Sequence, residues 1–367
     1  MEEIKEVEVG KNISLFSEIS KLGHEQLVFC HDESTGLKAL IGIHNTVLGP
    51  ALGGTRMWNY ATEEEAITDV LRLSRGMTFK NAITGLNIGG GKAVIIGDPK
   101  KLKSEALLRR FGKFVESLNG KYVTAEDVSM NERDMQYIAM ETQYVTGLPP
   151  NMGGLGDPSP VTAYGTYMGI KGCAKQVYGS DSLEGKSVAV QGCGHVGTYL
   201  IEYLAKENAK VYVSDISESR VKNAVDKYKA IPVNMDEIYD LDVDVYAPCA
   251  LGATLNDDTI PRLKCKIVAG AANNQLKEEI EHGKMLVEKG ITYAPDFLIN
   301  AGGVINVYME FIGMTDAEMP YKQAEKIYDT TQDILKKSER EGITTQEAAM
   351  KLAIKRIEDI GKTKLPI

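Results

Sequence analysis

Cysteine is scarce in this chain. The five residues Cys30, Cys173, Cys193, Cys249 and Cys265 are scattered and form no C-x-x-C pair. That usage suits a reducing compartment, taken here to be the cytoplasm, and offers no zinc site. Histidine is equally sparse, five residues with no H-E-x-x-H and no i, i+4 pair, so no metal is expected on that side either. No run approaches the ~20 apolar residues that a membrane span needs. The opening "MEEIKEVEVGKN" lacks the apolar region of a secretory signal. An excess of positive charge is missing too, and a formal net charge of -9 argues against nucleic acid or an anionic membrane as partner. There is no internal repeat and no low-complexity linker.

What is present is an ordinary globular composition, 43% hydrophobic and 25% charged, over 367 residues, a length that favours two domains. "LVFCHD" and "LKALIGIHN" read as strands separated by the turn residues of "ESTG". Thr62 and Glu65 form a capping box for a helix over 62–82 whose face is Ala66, Ile67, Val70, Leu71, Ser74 and Met77. A strand at 93–97 and helices at about 104–118 and 131–140 follow. "TGLPPNMGGLGDPSP" is the best boundary candidate. Ser159 is then expected to cap a helix that begins with Pro160. Beyond it, "SVAVQG", "KVYVSD", "VDVYAP", "KIVAGAA" and "ITYAP" read as strands, with helices at 194–206 and 217–228 between the first three. Strands joined by long helical crossovers imply a parallel, doubly wound sheet, hence an α/β fold. Two long amphipathic helices, about 315–340 and 344–362, close the chain, the second opened by Thr344 and Glu347.

"VAVQGCGHVGTYL" places Gly192, Gly194 and Gly197 in a G-x-G-x-x-G pattern, with Cys193, His195 and Val196 at its variable positions. The pattern alone is common. Here it follows a strand, opens a helix, and is followed 23 residues after Gly192 by Asp215, with Ile216 beside it, at a second strand's end. This is the arrangement of a dinucleotide site. Gly192 permits the turn, Gly194 lets the backbone approach a pyrophosphate, Gly197 lets helix and strand close, and the anion sits at the helix N-terminus. A carboxylate at 215 would bond an adenosine ribose and repel a 2′-phosphate, which favours NAD over NADP.

"GLNIGGGKAVIIGDP" poses a separate question, because Lys92 stands behind three glycines at the mouth of an apolar strand. Either it is a solvated end, or the glycines clear space for something to approach its amine. Lys80 lies twelve residues earlier, near the end of the 62–82 helix, where a solvated lysine would also be favourable to the dipole. Asp127, in "TAEDV", reads equally as a surface carboxylate. Oxidation of an amino acid needs a cation for the α-carboxylate, a base for water and a group that shuttles protons on nitrogen. A lysine serves as base only with a lowered pKa, which burial beside another cation supplies.

"LGPALGGTRMW", "GMTFKNAITGLNIGGGKAVIIGDP", "YVTAEDV", "VQGCGHVG", "APCALGA", "AGAANNQL" and "YAPDFLINAGGVINV" together resemble the glutamate/leucine/phenylalanine/valine dehydrogenases, over about residues 10–360. The resemblance implies a substrate and oligomerisation domain over 1–147, rejoined by the C-terminal helix of about 343–367. It implies a Rossmann NAD-binding domain over 148–342, with the active site between the two. It implies Lys80 on the substrate carboxylate, Lys92 as the base that activates water, and Asp127 as the proton exchanger. Asn273 would lie near the nicotinamide ribose, Asn300 in the cleft, and Thr162 at the nicotinamide amide. Cys249 and Ala250 would pass over the cofactor. The implied activity is reversible oxidative deamination of a small-molecule amino acid by a homo-oligomer, an octamer by resemblance with a dimer as alternative.

Leu52, before Gly53 in "GPALGGTR", stands where glutamate-specific members carry a lysine. Ile88, Val304 and Val307 would complete an apolar wall. An unpaired buried carboxylate costs several kcal/mol, so a branched aliphatic side chain is expected; these residues do not rank leucine, valine and isoleucine, and it is the resemblance that implies leucine. Phenylalanine or valine as the principal substrate is the alternative.

Overall fold

The computed structural model describes residues 15–363. The outermost parts of the expected first domain, 1–14 and 364–367, lie outside the described residues. The chain forms two compact units, one of residues 15–46, 50–78 and 89–144, the other of 47–49, 79–88 and 145–363.

The first unit is built on a mixed sheet. Its strands are β1 (Gln26–Asp32), β2 (Leu37–Asn45), β3 (Ala51–Leu52), β4 (Thr55–Trp58), β5 (Gly89–Ile96) and β6 (Tyr122–Val123). Their order is β1-β2-β5-β3-β6, with β4 also beside β5. β1 and β2 form the expected hairpin, because the Asp32 carboxylate accepts from the Thr35 amide (3.0 Å) and both nearby hydroxyls and so closes the turn. The helix Glu63–Ile83 follows β4. The Thr62 hydroxyl accepts from the Glu65 amide (3.2 Å), while Glu65 reaches back one residue further than a capping box requires, to the Ala61 amide (2.9 Å). Its apolar stripe, Ala66, Val70 and Leu71, packs on Leu40 and Val94.

The second unit carries a six-stranded sheet of β7 (Ser187–Gln191), β8 (Lys210–Ser214), β9 (Ile231–Pro232), β10 (Val245–Pro248), β11 (Ile267–Val268) and β12 (Thr292–Tyr293). All neighbours are parallel, in the order β12-β11-β10-β7-β8-β9. That order is the doubly wound arrangement whose direction of winding switches between β7 and β10, the place where such sheets bind ligands. β9 is absent from the sequence reading because a two-residue edge strand ending in proline leaves no alternation to read.

Two expectations are corrected. Ser159 is the first residue of the helix Ser159–Tyr178 and not its cap; Asp157 Oδ1 accepts from the Ser159 amide (2.9 Å) instead. The strand read as 93–97 begins at Gly89, so the glycines belong to β5. By compactness the chain divides between 144 and 145, and 47–49, 79–88 and the C-terminal helix Thr345–Lys362 group with the second unit. Arg356 of this helix donates from its guanidinium to the carbonyls of Ala82 (3.3 Å), Leu86 (2.7 Å) and Gly85 (3.1 Å) and to Asn87 Oδ1 (2.9 Å), all residues within the 1–147 stretch that the helix was expected to rejoin. Thr344 and Glu347 form the expected capping box. No helix among the described residues is long and apolar enough to cross a membrane.

Candidate active site

In the first unit the structure brings Lys92 and Asp127 together. Lys92 lies within β5, opposite Gly42 of β2. Cross-strand partners share a face, and on this face a Cβ at Gly42 would meet Ser74 and Val70 of the helix Glu63–Ile83. Gly90, two residues from Lys92 on the same face, is needed because a Cβ there would overlap the Thr78 backbone. A Cβ at Gly91 would press on the Tyr122 ring at 2.8 Å. The glycines therefore admit the protein's own helix and ring. The sequence alone leaves two readings open, a solvated end or space for something to approach the amine, and neither is what these glycines do.

What results is a lysine whose side chain is only 7% exposed, with its Nζ 2.9 Å from Asp127 Oδ2. Asp127 is delivered by a segment laced to β4. The Thr55 amide donates to Ala125 O (2.8 Å), the Met57 amide to Val128 O (3.1 Å), and the Thr55 and Thr124 hydroxyls bond at 2.6 Å. Gly54 lets that segment approach, since a Cβ there would stand 2.9 Å from Asp127 Cβ.

Sequence reasoning missed the next layer. Arg56 of β4 donates from Nε to the same Asp127 oxygen at 2.9 Å, and from Nη1 to Asp69 Oδ2 at 3.0 Å. The Tyr60 hydroxyl donates to that Asp69 oxygen at 2.7 Å. The signal was available: an arginine inside a short strand of a quoted motif, and an aspartate one residue from the helix's apolar stripe. Charges at half-buried positions demand partners. Burial pushes the Lys92 ammonium below its usual range, against the pull of Asp127. Burial pushes Asp127 upward, but Lys92 and Arg56 overcome it and hold the carboxyl below its usual range.

In the second unit the chain leaves β7 through Gly192, whose φ of 106° suits only glycine without strain. A Cβ at Gly192 would meet Ala250 at 2.9 Å, so Cys249 and Ala250, which leave β10, flank the turn. Gly197 is equally needed, because a Cβ there would overlap Gly192 O. Gly194 differs from both: nothing lies within 4 Å of where its Cβ would be. It precedes the helix His195–Lys206, which no side chain caps. Asp215 directly follows β8, with one oxygen accepting from the Cys193 amide (2.7 Å) and the other from the Ser217 amide (2.8 Å). It thus braces the glycine turn, a contact that sequence spacing did not reveal. Ile216 beside it is 82% exposed. Val196 lies in the first turn of the helix, half-buried, and His195 is exposed. Burial pushes the Cys193 thiol up to about 12, which makes it inert.

Asn300 and Asn273 are also brought together: Asn300 Nδ2 donates to Asn273 Oδ1 at 2.7 Å and to Ala271 O at 3.2 Å. Asn300 Oδ1 is buried without a hydrogen-bond partner. Thr162 lies against Gly303, and its hydroxyl donates to Pro158 O at 2.9 Å. Gly303, Val304 and Val307 belong to the helix Gly302–Phe311, which the sequence reading treated only as a motif. Val304 is buried and Val307 half-buried. Lys80, in the last turn of the helix Glu63–Ile83, is half-buried and acts electrostatically on the buried Asp296. Burial holds Asp296 above the usual carboxylate range, and its Oδ2 accepts from the Gln275 amide at 3.0 Å. Leu52 of β3 and Ile88, just before β5, are both fully buried, and Gly53 is pinned by the Tyr122 hydroxyl on its carbonyl at 2.6 Å.

Comparison with known proteins gives the same picture. Residues 24–144 match the Glu/Leu/Phe/Val dehydrogenase dimerisation domain, and residues 153–220 and 212–364 match the Glutamate/Leucine/Phenylalanine/Valine dehydrogenase family. The chain is 56% identical to a leucine dehydrogenase of Thermoactinomyces intermedius and 55% identical to one of Bacillus subtilis, each alignment covering 96% of both chains. The crystal structure of L-tryptophan dehydrogenase from Nostoc punctiforme superposes with a TM-score of 0.85 at 46% identity, covering 94% of this chain and 99% of that one. Two α/β units, a parallel sheet in doubly wound order, and family matches across nearly the whole chain converge: this chain belongs to the glutamate/leucine/phenylalanine/valine dehydrogenase family.

Proposed function

We propose that the chain catalyses the reversible, NAD-dependent oxidative deamination of L-leucine and other branched-chain L-amino acids to the 2-oxo acid and ammonia. The observation that carries this is a lysine buried in a strand and paired at 2.9 Å with a carboxylate in an amino acid dehydrogenase. A buried amine with a lowered pKa is the group this reaction needs as base. The relatives named for leucine, at 55–56% identity, are nearer than the tryptophan dehydrogenase at 46%.

The second unit suits a dinucleotide. Gly194 has open space above it, the helix behind it has no capping side chain, and Asn300 Oδ1 is a buried acceptor awaiting a donor. Gly192, Cys193, Gly194, His195, Val196 and Gly197 would cradle the pyrophosphate, Asp215 and Ile216 the adenosine ribose. Thr162, Cys249, Ala250, Asn273 and Asn300 would surround the nicotinamide half. NAD, when bound, accepts the hydride from the substrate Cα.

The chain's own residues do the rest. Lys80 holds the α-carboxylate. Asp127 takes one proton from the substrate ammonium, so that the nitrogen lone pair can drive hydride departure and leave an imine. Lys92 removes a proton from the water that attacks the protonated imine carbon, Asp127 returns its proton to the nitrogen, and as the carbinolamine hydroxyl becomes the carbonyl its proton goes to the departing ammonia, which leaves as ammonium. In sum, amino acid, NAD⁺ and water give 2-oxo acid, ammonium, NADH and one proton. Leu52, Ile88, Val304 and Val307 receive the aliphatic side chain, with the backbone of Gly53 beside it. A homo-oligomer in the cytoplasm is part of the same reading, supported by the matched dimerisation domain and five unpaired thiols. NADH formation at alkaline pH with leucine, valine, phenylalanine and glutamate offered separately tests it. Leucine should give the highest kcat/KM, and turnover of glutamate within tenfold of leucine would overturn the side-chain assignment.

A further inference from the structure

We propose that Arg56 is a positioning residue for Asp127: it fixes one carboxylate oxygen, jointly with Lys92, so that the other is the oxygen that exchanges protons with the substrate nitrogen. The inference rests on the deamination reading above and adds a residue that the reading does not use. Arg56 Nε and Lys92 Nζ both lie 2.9 Å from the same atom, Asp127 Oδ2. Oδ1 accepts no hydrogen bond from the described residues, and the side chain is 24% exposed, so one oxygen is doubly held and the other is presented.

The backbone does not fix this choice. The bonds from Thr55 and Met57 to the 125–128 segment set where Asp127 stands, but the terminal torsion of a carboxylate is broad and would let the two oxygens exchange. Two donors on one oxygen remove that freedom. Arg56 suits the task because its guanidinium is a rigid fork. Its Nη1 is anchored on Asp69 at 3.0 Å, and Asp69 is held in turn by the Tyr60 hydroxyl at 2.7 Å. The charges point the same way. With Lys92 protonated, two cations face two carboxylates. When Lys92 gives up its proton to act as base, Arg56 is the cation left on Asp127, and it keeps that carboxyl ionised. The groups facing Asp127 are thus Lys92 from β5 and Arg56 from β4, with Asp69 and Tyr60 behind Arg56. Tyr122 of β6 is a further titratable neighbour, its hydroxyl turned to Gly53 O.

Removing Arg56 withdraws an attractive cation from Asp127 and a repulsive one from Lys92, so both should then titrate at higher pH. Arg56→Met is expected to lower kcat about 10- to 100-fold with leucine KM and NAD Kd little changed. The acid limb of kcat should move up by about one pH unit, the size of effect one lost charge–charge contact gives. Arg56→Lys should return the limb towards its original place but recover kcat only in part, because an ammonium cannot bridge Asp69 and Asp127. Should Arg56→Met fail to fold, Asp69→Asn keeps the cation and removes its anchor. Its kcat should fall severalfold while the limb moves to lower pH. Carbon-13 titration of the labelled Asp127 carboxyl in the substrate-free full chain reads the same displacement without turnover, and so stands even if the parent oxidises no amino acid. A folded Arg56→Met whose Asp127 titration and kcat profile match the parent, with only Tm lowered, would overturn the proposal. So would an Asp69→Asn protein with unchanged kcat.

Discussion

The chain carries two glycine clusters, one at 89–91 leading into Lys92 and one at 192–197, and they are used in opposite ways. At 90 and 91 the place of a Cβ is already filled by protein, by Thr78 and by the Tyr122 ring. At 194 the direction is open, while 192 and 197 on either side are as tightly hemmed as 90 and 91. A glycine run is therefore no sign of a ligand by itself. What distinguishes the second cluster is one glycine facing empty space between two that build the turn.

The largest effect should come from the residue that the first cluster buries. Lys92→Ala is expected to lower kcat by about 10³-fold or more, in the range general bases supply, with NAD Kd near normal by fluorescence titration. In the parent, kcat should rise with pH and level off below 10.5, the ordinary lysine value, because burial favours the neutral amine. A limb above 10.5, or a variant keeping a tenth of the parent's turnover, would move the base elsewhere.

Next comes the glycine comparison itself. Gly90→Ala forces a methyl into the Thr78 backbone, which cannot yield, and should cost about 3 kcal/mol or more in a denaturant titration. Gly194→Ala should leave stability within about 0.5 kcal/mol yet weaken NAD binding about tenfold, since a pyrophosphate needs that space. If the two variants behaved alike, the contrast drawn between the clusters would fail.

These cases also mark how far the sequence could be read. The second sheet was legible because β7, β8 and β10 are apolar runs separated by long helices, and the Gly192–Asp215 spacing survives as a real contact through the Cys193 amide. Lys92 and Asp127 were legible through the family motifs alone; nothing in their spacing of 35 residues announces a 2.9 Å contact. Arg56 and Asp69 went unread because their partnership is made by packing a helix on a strand, which no periodicity encodes. Gly89–Gly91 were misplaced outside the strand because glycine lowers strand propensity, and tertiary packing overrode it.

A smaller effect is expected at Asp215. Asp215→Ser should raise NADP use relative to NAD about tenfold in kcat/KM, because it removes the charge that repels a 2′-phosphate and leaves Arg220, now 3.9 Å from the carboxylate, able to meet it. A serine hydroxyl can keep only one of the two amide bonds, so NAD binding should weaken as well. Equal use of both cofactors by the parent would remove Asp215 from that role.

The smallest effect concerns Leu52, which is 1% exposed and would receive the substrate side chain. A glutamate side chain there would leave water with no cation to meet it, and losing hydration without a partner outweighs what its methylenes gain. Leucine instead buries an isobutyl group worth roughly 2–3 kcal/mol at ~0.8 per methylene. Leu52→Lys should therefore lower kcat/KM for leucine and raise that for glutamate, measured side by side on both proteins. The gain should be weak. A lysine in place of a fully buried leucine bears its own desolvation cost and tends to lose its proton, and a neutral amine pairs poorly with a carboxylate. The glutamate gain should accordingly grow as pH falls and the new amine is charged, opposite in sign to the dependence on Lys92, which loses activity as pH falls. A glutamate gain that instead rose with pH would mean that the new lysine acts by some route other than pairing with the side-chain carboxylate.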